Sequence, residues 1–361
     1  VPVAAALHLR GVLLPAGEQR DLYVHAGRLT FEPVPGAETV LSGGWLLPGL
    51  VDAHCHIGLA EEGWVTEPAA LAAQARADRD AGALLIRDCG SPVDTRPLAD
   101  APDLPRIVRA GRHLARPKRY LRELAHEVEP GELVDAVAEQ AGYGGGWVKL
   151  VGDWIDRELA ELAPLWPADV LAAAVARAHE LGAKVAVHVF GEAALPGLIA
   201  AGVDSIEHGT GLSDGQLGEL AGRGTALVPT LINADNLPGI AAAAAEKFPS
   251  YAAHLRRLHA GARDRVRAAY EAGVPIFAGS DAGGGVGHGR VVDEILALHA
   301  AGLPAAAALA AGSWSARAWL GLPGLVEGAP ADLIAYPADP RTDLTTLRTP
   351  SRLVLRGHLV R

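Results

Sequence analysis

Two hydrophobic rhythms divide the chain. Through residues 1–45 the apolar residues fall in short runs, Val12-Leu13-Leu14, Asp21-Leu22-Tyr23-Val24 and Arg28-Leu29-Thr30-Phe31, with Gly and Pro between them. That pattern predicts short strands joined by turns. From Leu46 the rhythm changes to apolar runs alternating with Ala-rich stretches of helix length, the pattern of βα units. Eight such runs occur, at residues 49–54, 83–88, 106–110, 147–151, 184–188, 204–208, 226–230 and 275–281. Helix-length segments at 67–81, 132–141, 167–181, 193–201, 214–223 and 251–272 lie between most of them. Several stop at a glycine, as at Gly182, Gly202 and Gly273, where a left-handed residue ends a helix cheaply. Two further helices, 291–301 and 304–320, follow the eighth run, and strand-and-turn material returns at 331–336, 352–355 and 357–360. The expected class is α/β: a (β/α)8 TIM-like barrel over residues 46–320, with a small β-sandwich domain built from both termini, residues 1–45 plus 321–361.

Composition narrows the partners. Half of the 361 residues are hydrophobic, enough for a large core, and 42 acidic residues against 32 basic ones give a net charge of −10. That balance argues against nucleic acid or an anionic membrane as the partner and leaves a small molecule. Cys55 and Cys89 are the only cysteines, too few for a disulfide framework, so a cytoplasmic location is expected. The first seventeen residues lack a basic lead-in and are interrupted by His8 and Arg10, so no signal peptide is expected. No uninterrupted apolar run reaches the roughly 18 residues of a membrane span.

The ends of the apolar runs carry the chemistry. In Leu46-Leu47-Pro48-Gly49-Leu50-Val51-Asp52-Ala53-His54-Cys55-His56, strand alternation puts His54 and His56 on one face and Cys55 on the other. Two imidazoles on one face can share a metal ion. The C-terminal ends of the other runs add Lys149, His188, His208 and Asp281, and functional residues of such barrels gather at that end. Lys149 stands in Gly146-Trp147-Val148-Lys149-Leu150-Val151, where a bare ammonium is costly and burial favours the neutral amine. A neutral amine can take up carbon dioxide to give a carbamate, an anionic ligand able to bridge two metals. The other reading pairs Lys149 with a nearby acid such as Asp153.

Taken together, His-x-His after Pro-Gly-Leu-Val-Asp, then Lys, His, His and Ser280-Asp281-Ala282-Gly283, resemble the amidohydrolase superfamily. Ile86-Arg87-Asp88-Cys89-Gly90, Glu207-His208-Gly209-Thr210, Pro229-Thr230 and Gly328-Ala329-Pro330-Ala331-Asp332-Leu333 add to the resemblance, which spans nearly the whole chain. The chain is most similar to the branch around imidazolonepropionase-like proteins and prolidase-like (Xaa-Pro dipeptidase-like) metallo-enzymes. The resemblance implies two divalent ions, zinc being best suited to such ligands. His54, His56 and Asp281 would hold one, His188 and His208 the other, and carboxylated Lys149 would bridge them together with a hydroxide. It implies a hydrolase of an amide C–N bond, of the dipeptide or N-acyl amino acid type, in which the bridging hydroxide attacks the carbonyl and Asp281 acts as base and then acid. It also implies a homo-oligomer. The alternative is a mononuclear deaminase or ring-opening hydrolase of a nitrogen heterocycle. Lys149 speaks against it, as does the position of Glu192, four residues after His188 rather than three.

Substrate contacts are expected in the loops. Arg106, Arg109, Arg112, Arg116, Lys118, Arg119 and Arg122 follow one another without an intervening acid. One of them, with His113 or Tyr120, is expected to grip a substrate carboxylate. Trp154 and Trp166 are expected to wall an apolar pocket.

Overall fold

The computed structural model describes residues 6–61, 63–121, 123–143 and 145–361. Strict alternation builds the terminal sheet: Leu7–Leu13 buries Leu7, Leu9, Gly11 and Leu13 and turns the residues between them outward. It pairs antiparallel with Glu18–His25 and parallel with Glu38–Pro48. The full order is His358–Leu359, Arg352–Leu355, Leu333–Tyr336, Glu38–Pro48, Leu7–Leu13, Glu18–His25, Arg28–Thr30. This is one seven-stranded sheet, where the sequence pattern suggested a two-layer sandwich. The sheet curls so that its Arg28–Thr30 edge meets the residues leading into Leu333–Tyr336: the Leu29 amide donates to Ala329 O (2.8 Å) and the Ala331 amide to Gly27 O (3.0 Å). Leu22, Val24 and Leu29 thereby share a core with Leu46, Leu333, Ala335 and Val354. A curled sheet buries one face against itself, so its strands carry the same alternation as a sandwich.

Parallel strands form the centre. Leu50–Cys55 pairs with Ala83–Asp88, which pairs with Arg106–Arg109. A second set runs Leu114–Ala115, Trp147–Val151, Lys184–Val189, Ser205–His208, Ala226–Val228. Helices Pro68–Asp80, Leu133–Ala141, Ala168–Glu180, Leu195–Ala201, Asp214–Arg223 and Pro249–Glu271 lie where the sequence predicts them. Val185, Val187 and Val189 pack in one cluster with Leu171, Val175 and Leu198 of these helices, while Ala186 packs with Trp147 on the other side of the strands.

The eighth apolar run is not a regular strand. It makes only single bridges, Ile276 to Leu227 and Ala282 to Cys55, and thereby links the two parallel sets. Its amides alternate between partners: Phe277 N donates to Leu227 O (3.0 Å), Ala278 N to Ala311 O (3.0 Å) and Asp281 N to His54 O (2.7 Å). The two segments approach closely, since a Cβ at Gly279 would lie 2.6 Å from His54 Cβ. The seventh run likewise stops as a strand at Val228. A hairpin of Asp153–Asp156 and Glu161–Pro164, which the sequence pattern does not reveal, follows Trp147–Val151 and carries Trp154. Among the described residues no helix is long and apolar enough to cross a membrane.

Candidate metal centre

His54 is the penultimate residue of the fully buried strand Leu50–Cys55, and His56 follows one residue beyond it. Their Nε2 atoms lie 3.2 Å apart. Asp281 Oδ1 approaches both, at 3.3 Å from His54 Nε2 and 2.9 Å from His56 Nε2. Three lone-pair donors from two distant segments thus converge on one point, a group able to hold a metal ion. The second half faces it: His208 Nε2 lies 2.9 Å from His188 Nδ1, and the His54 and His208 rings are 5.4 Å apart between centroids. Burial, together with the charge of His208, holds His188 well below its ordinary pKa. Burial also brings His208 down to about 3 and lowers His56. Neutral imidazoles are the form that ligates.

Lys149 completes the ring from Trp147–Val151. It is 1% exposed, and its Nζ has no hydrogen-bond partner among the described residues. Burial first, and the nearby Lys149 side chain with it, hold His56, His113, His188 and His208 below the ordinary imidazole value, whereas, against burial, Cys89, Asp281 and Glu207 raise His54 well above it. Asp153 is not its partner. That carboxylate accepts from Phe190 N (3.0 Å) and Gly191 N (2.6 Å), and burial raises its pKa to about 7. An unpartnered buried amine beside four converging imidazoles and a carboxylate is a donor set that fits divalent ions.

Several residues that hold these groups escape a sequence reading. Glu207 Oε2 lies 2.6 Å from His54 Nδ1, and the same carboxylate accepts from Arg87 Nη2 at 2.8 and 2.9 Å. The Arg87 guanidinium lies over the rings of Trp147 and Trp319, 4.5 and 4.7 Å from their centroids. Burial works against ionising Glu207, but Arg87 and His54 hold it well below the usual carboxylate range. Alternation would send Glu207 and its neighbour His208 to opposite faces; a left-handed backbone at His208 (φ +67°) lets both serve the centre. Opposite charges inside two apolar strands were the available signal. Asp52 accepts from the His54 amide (3.2 Å), the Ser280 amide (2.9 Å) and the Ser280 hydroxyl, locking the two ligand segments together. Thr230 and Asn233 reach His208 and Asp281 from the end of the seventh run and just beyond it.

Aromatic rings cover the centre. His113 lies 5.0 Å from His56 and 5.2 Å from Tyr120, and Tyr120 and Trp154 each lie 5.4 Å from His188. Gly90 permits this packing, since a Cβ there would lie 2.4 Å from His113 Nδ1. Burial holds His113 well below its ordinary pKa, and neither ring nitrogen has a partner among the described residues. Trp166 is elsewhere: it packs in the main core, and its Nε1 donates to Val151 O (2.8 Å).

Most of the basic span is structural. Arg106 pairs with Asp332 (2.6 Å), Arg112 donates to the carbonyls of residues 123–125, and Arg119 pairs with Asp156 (2.8 Å). Arg116 lies 3.9 Å from Glu129, Lys118 is exposed, and Arg122 falls outside the described residues. Arg109 lines a small cavity of about 140 Å³ with Thr95, Arg112 and Tyr143.

Residues 160–360 match the amidohydrolase family. The uncharacterized protein Rv2915c of Mycobacterium tuberculosis is 58% identical over 98% of this chain and 95% of its own length. The putative prolidase of Bifidobacterium longum has the same fold (24% identical, TM-score 0.84, 99% of this chain and 95% of that one). So do a Xaa-Pro dipeptidase with methionine bound in its active site (22%, 0.82, 99% and 100%) and the A. niger ochratoxinase (19%, 0.80, 99% and 96%). The α/β fold is that of a hydrolase, and the converging histidines are its candidate metal site. The chain belongs to the amidohydrolase family, whose members generally bind divalent metals, and it acts on carbon–nitrogen bonds.

Proposed function

We propose that this protein is a dinuclear metal-dependent hydrolase of amides of the dipeptide or N-acyl amino acid type. In this reading His54, His56 and Asp281 hold one ion, His188 and His208 the other, and carboxylated Lys149 bridges them. The observation that carries it is the buried Lys149 amine, without a hydrogen-bond partner among the described residues, on the strand beside the one that bears His188. Four imidazoles, each uncharged when it ligates, and one carboxylate would leave two divalent cations short of negative charge, and a carbamate would supply it. When bound, such ions polarise a carbonyl and acidify water.

The chain's own groups do the rest. Asp281 takes the proton of the attacking water on its carboxylate and returns it to the leaving nitrogen. Glu207 fixes the His54 ring so that Nε2 faces inward. His113, Tyr120 and Trp154 wall the substrate side of His188. On this reading the parallel strands and residues 275–282 form a (β/α)8 barrel, and the curled sheet is a separate small domain built from both termini; the strand Glu38–Pro48 carries that domain three residues past the expected boundary at 45/46. Glu192 offers no deaminase acid, because its carboxylate is half-exposed and engaged by His254 (2.7 Å) and Arg257 (3.1 Å).

The test is a hydrolysis screen over dipeptides and N-acyl amino acids, together with zinc content of the parent and of Lys149→Ala and Lys149→Arg. Both variants are expected to lose one or both ions and most turnover, since a guanidinium forms no carbamate. Two tightly held ions and parental turnover in Lys149→Ala overturn the dinuclear reading.

A further inference from the structure

The end of the seventh apolar run is built against its own backbone preferences. Thr230 is fully buried and sits in the left-handed region (φ +47°, ψ +50°). A β-branched residue is strained there, and Asn or Gly would sit more easily. Two more non-glycine residues of the centre, His208 (φ +67°) and Asp281 (φ +56°), share this conformation. The Thr230 hydroxyl lies 2.6 Å from His208 Nδ1. When Nδ1–H donates to that oxygen, the ring's lone pair is left on Nε2, the atom that meets His188.

Three residues on, Asn233 Nδ2 donates to Asp281 Oδ2 at 2.6 Å. The orientation of that amide is set from behind, because Asn236 Nδ2 donates to Asn233 Oδ1 (3.1 Å). Asp281 Oδ1 is left to face His54 and His56. The turn between Thr230 and Asn233 is anchored by buried Glu294, whose carboxylate accepts from Leu231 N (2.8 Å) and Ile232 N (3.0 Å). One rigid turn therefore touches one member of each half of the centre.

We propose that the Thr230–Asn233 turn, pinned by Glu294, is a positioning device for both metal ions: Thr230 sets the His208 ring and Asn233 sets the Asp281 carboxylate. The proposal rests on the dinuclear reading above, and it predicts that the two ions can be loosened separately. Zinc is the probe, with affinity for each ion measured by chelator competition and stoichiometry by elemental analysis. Thr230→Val is nearly isosteric and removes only the hydroxyl. It is expected to weaken one ion about 10–100-fold, as loss of a ligand's hydrogen-bond partner does, and to leave the other at parental affinity. Thr230→Ser is expected to restore it. Asn233→Ala is expected to weaken the other ion, and Glu294→Gln both.

Thermal unfolding in chelator shows whether each variant folds without metal, and Asn233→Ala tests the idea independently should Thr230→Val not fold. If Thr230→Val and Asn233→Ala hold both ions as tightly as the parent while His208→Ala loses one, the turn is not a positioning device although the dinuclear reading stands. If the parent does not take up two ions, both fall together.

Discussion

Glu207 Oε2 sits 2.6 Å from His54 Nδ1 while its two oxygens receive Arg87 Nη2 at 2.8 and 2.9 Å, all three side chains being buried. The carboxylate thus balances a buried guanidinium and orients an imidazole at once. Glu207→Gln keeps the shape but leaves Arg87 uncompensated. Expected are a loss of about 3–5 kcal/mol in urea unfolding of the metal-free protein and zinc binding weakened 10–100-fold. Parental zinc affinity in this variant means that Glu207 serves only Arg87.

The pH dependence of stability has a distinct contributor in Glu294. Burial raises its pKa from 4.5 to about 8 despite two backbone amides. Below pH 4.5 both folded and unfolded states hold the proton. Between 4.5 and 8 the unfolded chain releases it while the folded chain keeps it, so this contribution to stability falls as pH rises, and above 8 it is flat. In Glu294→Gln that dependence disappears. Unfolding in chelator at pH 5 and pH 8 is expected to show the parent's advantage over Glu294→Gln shrinking by on the order of 3 kcal/mol. An advantage that grows with pH shows that the two amides dominate burial and hold the carboxylate ionised.

Trp154 packs edge-on against Tyr120 (4.7 Å) and lies 5.4 Å from His188. If this wall binds the substrate's apolar part, Trp154→Ala raises KM about tenfold, ~1.4 kcal/mol of lost aromatic contact, with kcat changing far less. An unchanged KM across amides with large and small side chains places the wall outside the substrate's reach.

Arg106 separates the structural and substrate readings of the basic span. It pairs with Asp332 of the terminal sheet at 2.6 Å, and Asp332 keeps the Arg356 amide (2.8 Å) and Arg317 (3.6 Å) when Arg106 is removed. Arg106→Ala is expected to cost about 1 kcal/mol of stability and to leave KM for free-acid substrates within twofold of the parent. A large KM rise confined to free acids returns Arg106 to the substrate.

What could be read from the chain alone is what periodicity and spacing carry. Alternation in Leu50–Cys55 places His54 and, by extension, His56 on one side, and runs ending in His188 and His208 deliver one histidine each to the same end. The charge of Lys149 inside an apolar run marks a group that must be answered by chemistry rather than solvent.

The tertiary structure decided the rest, because it depends on contacts between segments far apart in sequence and on backbone conformations that periodicity does not encode. The apparent eighth strand pairs only by single bridges, packed closely on His54 at Gly279. Left-handed backbone at His208, Thr230 and Asp281 aims side chains against alternation. Pairings across 120 residues (Arg87 with Glu207), 153 (His54 with Glu207) and 226 (Arg106 with Asp332) sort charges into supports and surface ties. A charged residue in one strand says that a partner is needed, and only the folded chain says which one lies within 3 Å.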